Sequence, residues 1–128
     1  MANRLVLNSY ATAIADDEAS GGAGRVRRHR IEHTQIIDAD ADLPRLAPLH
    51  VLASMQPTHA TSDMRYAEAR LGPARLKGAY AWASALATTG VLPLGTDFPV
   101  EAPDTMRSFH AAVTRQNEAS EPAGGWLP

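Results

Sequence analysis

The sequence predicts an α/β fold built from parallel βαβ units, and three observations carry that prediction. Helix-periodic segments alternate with short apolar runs in the order helix, strand, helix, strand, helix pair, strand, helix. Strands that alternate with helices form parallel sheets through right-handed crossovers. Alanine supplies 24 of the 128 residues while aromatics make up only 5%. That balance suits helices packed closely on a sheet and not an all-β sandwich, where β-branched and aromatic residues dominate. Finally, the polar residues capable of chemistry fall just after the candidate strands, at the edge where parallel α/β proteins bind ligands.

Residues 3–19 read as an amphipathic helix with Val6, Tyr10, Ala13 and Ile14 on one face. Ser20-Gly21-Gly22-Ala23-Gly24 closes it with glycines that tolerate left-handed backbone. A short strand is predicted from Arg28 to His33. Asp42 is the expected N-cap of a helix over 43–49, with Pro44 in its first turn. His50 to Met55 reads as the second strand, closed by Gln56-Pro57. Two helices follow, over 62–71 and 74–88, the second placing Leu76, Tyr80, Ala83 and Leu86 near one face. Gly90 stops it, and 91–95 reads as the third strand. Pro103-Asp104 opens a last helix that runs to Arg115, and 118–128 is an irregular tail without periodicity. No internal repeat or low-complexity segment is present.

Composition narrows the function classes. A net charge of −2, with 12 basic against 14 acidic residues, argues against a nucleic-acid binder. The basic run Arg25-Val26-Arg27-Arg28-His29-Arg30 is read as a solvated lead-in to the first strand. The absence of cysteine excludes disulfides and thiolate-held zinc. No run of about 18 apolar residues exists, so no membrane span is expected. Leu5-Val6-Leu7 behind Arg4 has the flavour of a signal peptide, but Asn8, Ser9, Tyr10 and Thr12 interrupt the apolar stretch. A cytoplasmic location is expected.

The candidate chemistry sits in His33, Gln56, His59 and Asp97, which follow the three strands in turn. Two imidazoles and a carboxylate converging from three strand ends are the donors a zinc-like metal takes. Spacing alone leaves a bland reading beside each. A histidine after a strand also serves as a packed or surface residue, and Asp97, two residues before Pro99, also serves as a turn cap.

The stretches Arg28-His29-Arg30-Ile31-Glu32-His33-Thr34-Gln35, Ser54-Met55-Gln56-Pro57-Thr58-His59 with Asp63, and Gly95-Thr96-Asp97-Phe98-Pro99-Val100 go further than spacing. Lys77-Gly78-Ala79-Tyr80-Ala81-Trp82, Phe109-His110-Ala111-Ala112-Val113-Thr114-Arg115 and Gly124-Gly125-Trp126-Leu127-Pro128 support them. As a set, in this order over nearly the whole chain, they resemble amidohydrolase family 3. This is the YtcJ-like and N-substituted formamide deformylase-like group of the metal-dependent amidohydrolase superfamily.

The resemblance implies a (β/α)₈ TIM barrel, of which 1–128 would form a single partial domain: about strands 6 to 8 with flanking helices, from the helix after strand 5 to the loop and helix after strand 8. It implies that His33 is a metal ligand after strand 6. Asp97, after strand 8, would contact the metal and act as the catalytic proton carrier. His59 and Gln56, after strand 7, would line the substrate, and Arg115 would either contact an anionic group or complement its helix dipole. Asp63 would orient His59 or cap the following helix, and Glu32 would be structural. The implied cofactor is a divalent metal, zinc foremost, and the implied substrate is a small molecule with a non-peptide amide-type C–N bond. The implied reaction is metal-assisted hydrolysis, with Asp97 moving the proton from water to the leaving nitrogen.

The family's His-x-His pair after strand 1, its bridging carboxylated lysine and its strand-5 histidine have no counterpart in these residues. A barrel of this kind takes about 250 residues. The chain is therefore expected to be a fragment, inactive alone, that exposes two strand edges and an apolar inner face and self-associates through them. The competing reading is a stand-alone, non-catalytic α/β binding or interaction module.

Overall fold

The computed structural model describes residues 2–22 and 27–127. Ala23-Gly24 of the predicted glycine terminator and Arg25-Val26 of the basic run lie outside the described residues. A short parallel sheet is the spine. β1 (His29–Ile31) and β2 (Val51–Ala53) pair with His29 opposite Val51, Arg30 opposite Leu52 and Ile31 opposite Ala53. Ser54 N–H to Ile31 O (2.9 Å) and Thr34 N–H to Ser54 O (3.1 Å) carry the pairing onward. On the other side of β2 a third segment joins through one parallel rung between Met55 and Leu94. That rung consists of Met55 N–H to Pro93 O and Gly95 N–H to Met55 O, both 3.1 Å.

The third strand expected over 91–95 is thus corrected to a single rung. The donor that would extend the ladder back toward Ala53 belongs to residue 93, and proline has no N–H. Along β2 the side chains alternate, with Val51, Ala53 and Met55 fully buried together with Leu7, Leu46 and Ala85. Burial of each large apolar side chain here contributes about 1.5–3 kcal/mol.

α1 (Ala2–Asp17) packs on this layer through Leu7, with Tyr10 and Ile14 half-buried, and ends in a π-helical turn (Glu18–Gly22) where Gly21 takes φ 91°. The expected face is shifted, since Val6 and Leu5 are exposed. Residues 43–49 form only a 3₁₀ turn, Leu43–Arg45. Pro44 and Pro48 lie four apart, and the second both lacks an N–H and crowds the carbonyl one turn back. Asp42 does not cap this turn with its side chain. Its carboxylate instead accepts Arg4 Nε at 2.9 Å.

α2 (Pro57–Asp63), α3 (Ala67–Leu71), α4 (Pro73–Leu76) and α5 (Trp82–Thr89) replace the two long helices expected over 62–88. Gly72 with φ 71° followed by Pro73 separates α3 from α4. Between α4 and α5 the chain turns and passes beside residues 35–37. Ala79 bridges Ile36, Gly78 O accepts Ile37 N–H at 2.9 Å, and Tyr80 N–H donates to Gln35 O at 2.6 Å. Gly78 lies so close that a Cβ there would stand 1.7 Å from Ile37 O. Leu76, Tyr80, Ala83 and Leu86 therefore share no face: Tyr80 is fully buried and Leu86 exposed.

α6 (Thr105–Thr114) starts at Asp104, whose Oδ1 accepts Met106 N–H at 2.9 Å and Arg107 N–H at 3.0 Å. It ends at Arg115 in left-handed backbone, φ 56°, and packs on α2. The irregular tail is pinned by Trp126, whose N–H bonds Arg115 O at 2.9 Å and whose indole donates to Glu68 Oε1 at 2.8 Å.

The two sheet edges differ. Beside β1, the Tyr10 hydroxyl donates to Arg30 O at 3.1 Å and its ring stacks on His29 at 5.0 Å. Beyond Leu94, no backbone partner is present among the described residues, and Leu94 and Phe98 are exposed. On the β1 side a side chain thus takes one outward carbonyl, and no backbone strand pairs there among the described residues. The expected apolar inner face is also corrected, because the surface opposite Val51 and Ala53 carries Arg28, Arg30, Glu32 and Ser54 around Leu52. Among the described residues no helix is long and apolar enough to cross a membrane.

Candidate metal centre

Three consecutive parallel segments hand over to loops at the same end of the sheet, and each delivers one donor. His33 lies two residues past β1, His59 stands in the first turn of α2 behind β2, and Asp97 lies three residues past the Leu94 rung. Thr34 N–H on Ser54 O and Gly95 N–H on Met55 O lock the three turns in register. Their ligand-capable atoms all lie within 4.8 Å of one another. His33 Nε2 stands 3.9 Å from Asp97 Oδ2, and His59 Nε2 stands 3.7 Å from the same oxygen. The two imidazoles are nearly parallel, 5° apart, with centroids separated by 5.9 Å.

His33 and Asp97 hold φ of 56° and 58°, a left-handed backbone uncommon for residues with a Cβ. Such conformations cost about 1–3 kcal/mol and collect where a fold over-determines a functional geometry. Exposure grades across the trio: the His33 side chain is 50% exposed, Asp97 31% and His59 12%. His59 Nε2 is buried with no hydrogen-bond partner, and its separation from Asp97 exceeds hydrogen-bonding range. A buried imidazole nitrogen without a partner costs about 1–3 kcal/mol. A cation between the three donors would satisfy it. Tetrahedral zinc with bonds near 2.0–2.1 Å sets its ligand atoms about 3.3 Å apart, against 3.7 and 3.9 Å from Asp97 to the two imidazoles and at most 4.8 Å across the trio, a gap the side chains would close around an ion. The residues present therefore fit such an ion.

The remaining sequence-predicted residues fall into place around the trio or away from it. Gln56 precedes α2, is 4% exposed, and has a buried Oε1 with no donor. Asp63 neither caps a following helix nor reaches His59. It closes α2, and its carboxylate accepts the hydroxyls of Tyr66 and Tyr80. Glu32 pairs with Arg30, and the Ser54 hydroxyl and the Arg30 guanidinium together hold its carboxyl below the ordinary range. Arg115 Nη2 donates to Tyr80 O at 2.8 Å and its guanidinium lies 3.9 Å over the Trp82 ring. Burial lowers its pKa, and among the described residues no carboxylate pairs with it. Of the basic run, Arg27 is spent on Asp17 (2.7 Å) and Glu18 (3.2 Å), and Arg30 on Glu32. The sequence reading set His59 beside His33 and Asp97 as a strand-end donor and, by resemblance, gave it to the substrate; the burial of Tyr80 behind α2 is what it did not single out. The sequence signal for the trio is that His59, like the other two, follows a strand end within a few residues.

Residues 2–126 match a family model described as the amidohydrolase family. The chain is 34% identical over 128 residues to Protein LONG AFTER FAR-RED 3 of Arabidopsis thaliana, covering 99% of this chain and 21% of that protein. It is 30% identical over 91 residues to a Bacillus subtilis (strain 168) protein that carries the name amidohydrolase YtcJ, covering 71% of this chain and 17% of that one. Among solved structures, an uncharacterized metal-dependent hydrolase from Pyrococcus horikoshii OT3 superposes with a TM-score of 0.63 at 31% identity, over 80% of this chain and 20% of its own. Another from Pyrococcus furiosus superposes with a TM-score of 0.62 at 27% identity, over 93% and 23%. The chain spans about a fifth of the length of these relatives. With a match over almost its whole length, the chain belongs to the amidohydrolase family.

Proposed function

We propose that this chain supplies the strand 6 to 8 sector of a (β/α)₈ barrel that hydrolyses non-peptide, amide-type C–N bonds of small molecules. His33, His59 and Asp97 form its metal-binding edge. The observation that carries the reading is the convergence of these three donors, with His59 Nε2 buried and unpartnered among them. Two imidazoles and one carboxylate are a donor set that suits zinc.

When bound, a divalent cation supplies Lewis-acid polarisation of the scissile carbonyl and lowers the pKa of a water. Asp97 directs Oδ2 toward the two imidazoles, which leaves Oδ1 to take the proton from the attacking water and return it to the leaving nitrogen. His59, shielded by α2, fixes the inner side of the centre, and half-exposed His33 its outer side. Gln56 borders the substrate, where its unpaired Oε1 suits an amide N–H. Arg115 offers an anionic substrate group only the N–H groups not spent on Tyr80 O and Trp126 O. Because the centre is open to water on the His33 side, the isolated chain is expected to bind metal without turning over amides.

Calorimetric titration of the purified chain with zinc tests this. Binding on the order of micromolar, weakened at least about tenfold but not abolished by His33→Ala, His59→Ala and Asp97→Ala alike, is expected. No binding at millimolar zinc, or binding indifferent to those three changes, refutes the centre.

A further inference from the structure

Two of the three donors are carried on separate segments that make no direct hydrogen bond to each other, the loop after β1 for His33 and α2 for His59. One buried residue touches both. Tyr80 N–H donates to Gln35 O at 2.6 Å, two residues past His33. The Tyr80 hydroxyl donates to Asp63 Oδ2, at the far end of the seven-residue α2 and one helical turn from His59. Asp63 Oδ1 accepts Tyr66 as well, so its carboxylate is held from both sides.

Tyr80 is itself fixed on every side. It is 1% exposed, its ring meets Trp126 at 5.3 Å and Trp82 at 6.3 Å, and its carbonyl takes Arg115 Nη2 at 2.8 Å. Its φ of 48° puts it in the left-handed region, a conformation a tyrosine keeps only under tertiary constraint. From this geometry we infer that Tyr80 is the positioning residue of the metal centre, a bracket whose backbone sets the His33 loop and whose hydroxyl, through Asp63, sets the His59 helix. Burial and the Asp63 carboxylate raise the phenol pKa, so the hydroxyl stays a donor across the physiological range. This inference rests on the proposed centre for its metal readout, and on the fold alone for its second readout.

Tyr80→Phe keeps the ring, its packing and the backbone bond to Gln35, and removes the hydroxyl's links to Asp63 and to the Gln35 side chain. Partners one shell out from a ligand are worth about 10- to 100-fold in metal affinity. Zinc affinity of Tyr80→Phe is therefore expected to fall at least about tenfold. The fall should be larger in a His33→Ala background than in a His59→Ala background, because the Asp63 link, the stronger of those lost, serves His59. Asp63→Asn, which weakens the same link from its other end, should reproduce the pattern. A purely structural role would lower affinity equally in both backgrounds, and that result overturns the inference, as does wild-type affinity in Tyr80→Phe. In the metal-free chain, the NMR cross-relaxation contact between the His33 and His59 rings should weaken in both variants. Its persistence at wild-type strength overturns the bracket even if the chain proves not to bind zinc, an outcome that by itself refutes only the centre.

Discussion

Replacing Gly78 by alanine is the sharpest stability test of this fold. The new Cβ would stand 1.7 Å from Ile37 O, 2.9 Å from its carbonyl carbon and 3.2 Å from Ala39 N. All three are backbone atoms, so no side-chain rotation relieves the clash. The two segments must part by more than about 1 Å to restore ordinary contact. That carries the Ile37–Gly78 bond (2.9 Å) and the Tyr80–Gln35 bond (2.6 Å) toward or beyond hydrogen-bonding range. Two bonds at about 1 kcal/mol each, with over-packing at about 1–3 kcal/mol, put the loss at about 3–5 kcal/mol. This is a large part of the whole folding free energy of a small domain. Urea unfolding followed by tryptophan fluorescence reads it, since Trp82 and Trp126 are both 7% exposed. Gly90→Ala is the control: φ is 73° there but nothing lies within 4 Å of the added Cβ, so only backbone strain of about 1–2 kcal/mol is lost. Gly78→Ala no more destabilised than Gly90→Ala would refute the close approach.

Other consequences are as direct. Asp104→Ala should cost about 1 kcal/mol, because Met106 and Arg107 N–H lose their acceptor, and the urea midpoint reads it. Arg115→Lys should cost about 2 kcal/mol through loss of the carbonyl bonds and the Trp82 face, visible as a lower Tm. Glu32 is held below its ordinary value of 4.5, so its contribution is present above that pH and is lost as pH falls beneath it. Glu32→Gln should flatten the acid decline in urea midpoint. Tyr80 is raised above its ordinary value of 10.0, so its contribution is intact below pH 10.0 and lost as pH rises beyond it. Tyr80→Phe should therefore show a shallower alkaline decline in midpoint than the wild-type chain.

Much of the sheet and both outer helices were legible in the sequence because their signals are local. β1 and β2 fall inside short runs bounded by turn residues, and Asp104 announces α6 by a cap that bonds residues two and three ahead. The break between α4 and α5 was not legible, because Leu76, Tyr80 and Ala83 keep helical spacing across it. What stops the helix is Ile37 O, forty-one residues upstream, pressed against Gly78. The shortening of the third strand, by contrast, was written in Pro93 and outweighed by the apolar run around it. At the centre, strand-end position pointed to His33, His59 and Asp97 together. The role of His59 as a third donor depends on how α2 turns back over the sheet. That turn is set by α2 packing on α6 and by Asp63 meeting Tyr80, neither of which leaves a mark in spacing.

The unequal edges of the sheet decide how far strand pairing can spread. Among the described residues Tyr10 takes the Arg30 carbonyl on the β1 side, while no group pairs with the backbone beyond Leu94, which makes that side the readier one for a second strand. If two copies met there, each would cover the other's more open edge and leave the β1 edges, where an incoming strand must first displace the Tyr10 hydroxyl. Such contact favours a closed pair over a growing stack, a bias that Tyr10→Phe, by freeing the Arg30 carbonyl, would weaken.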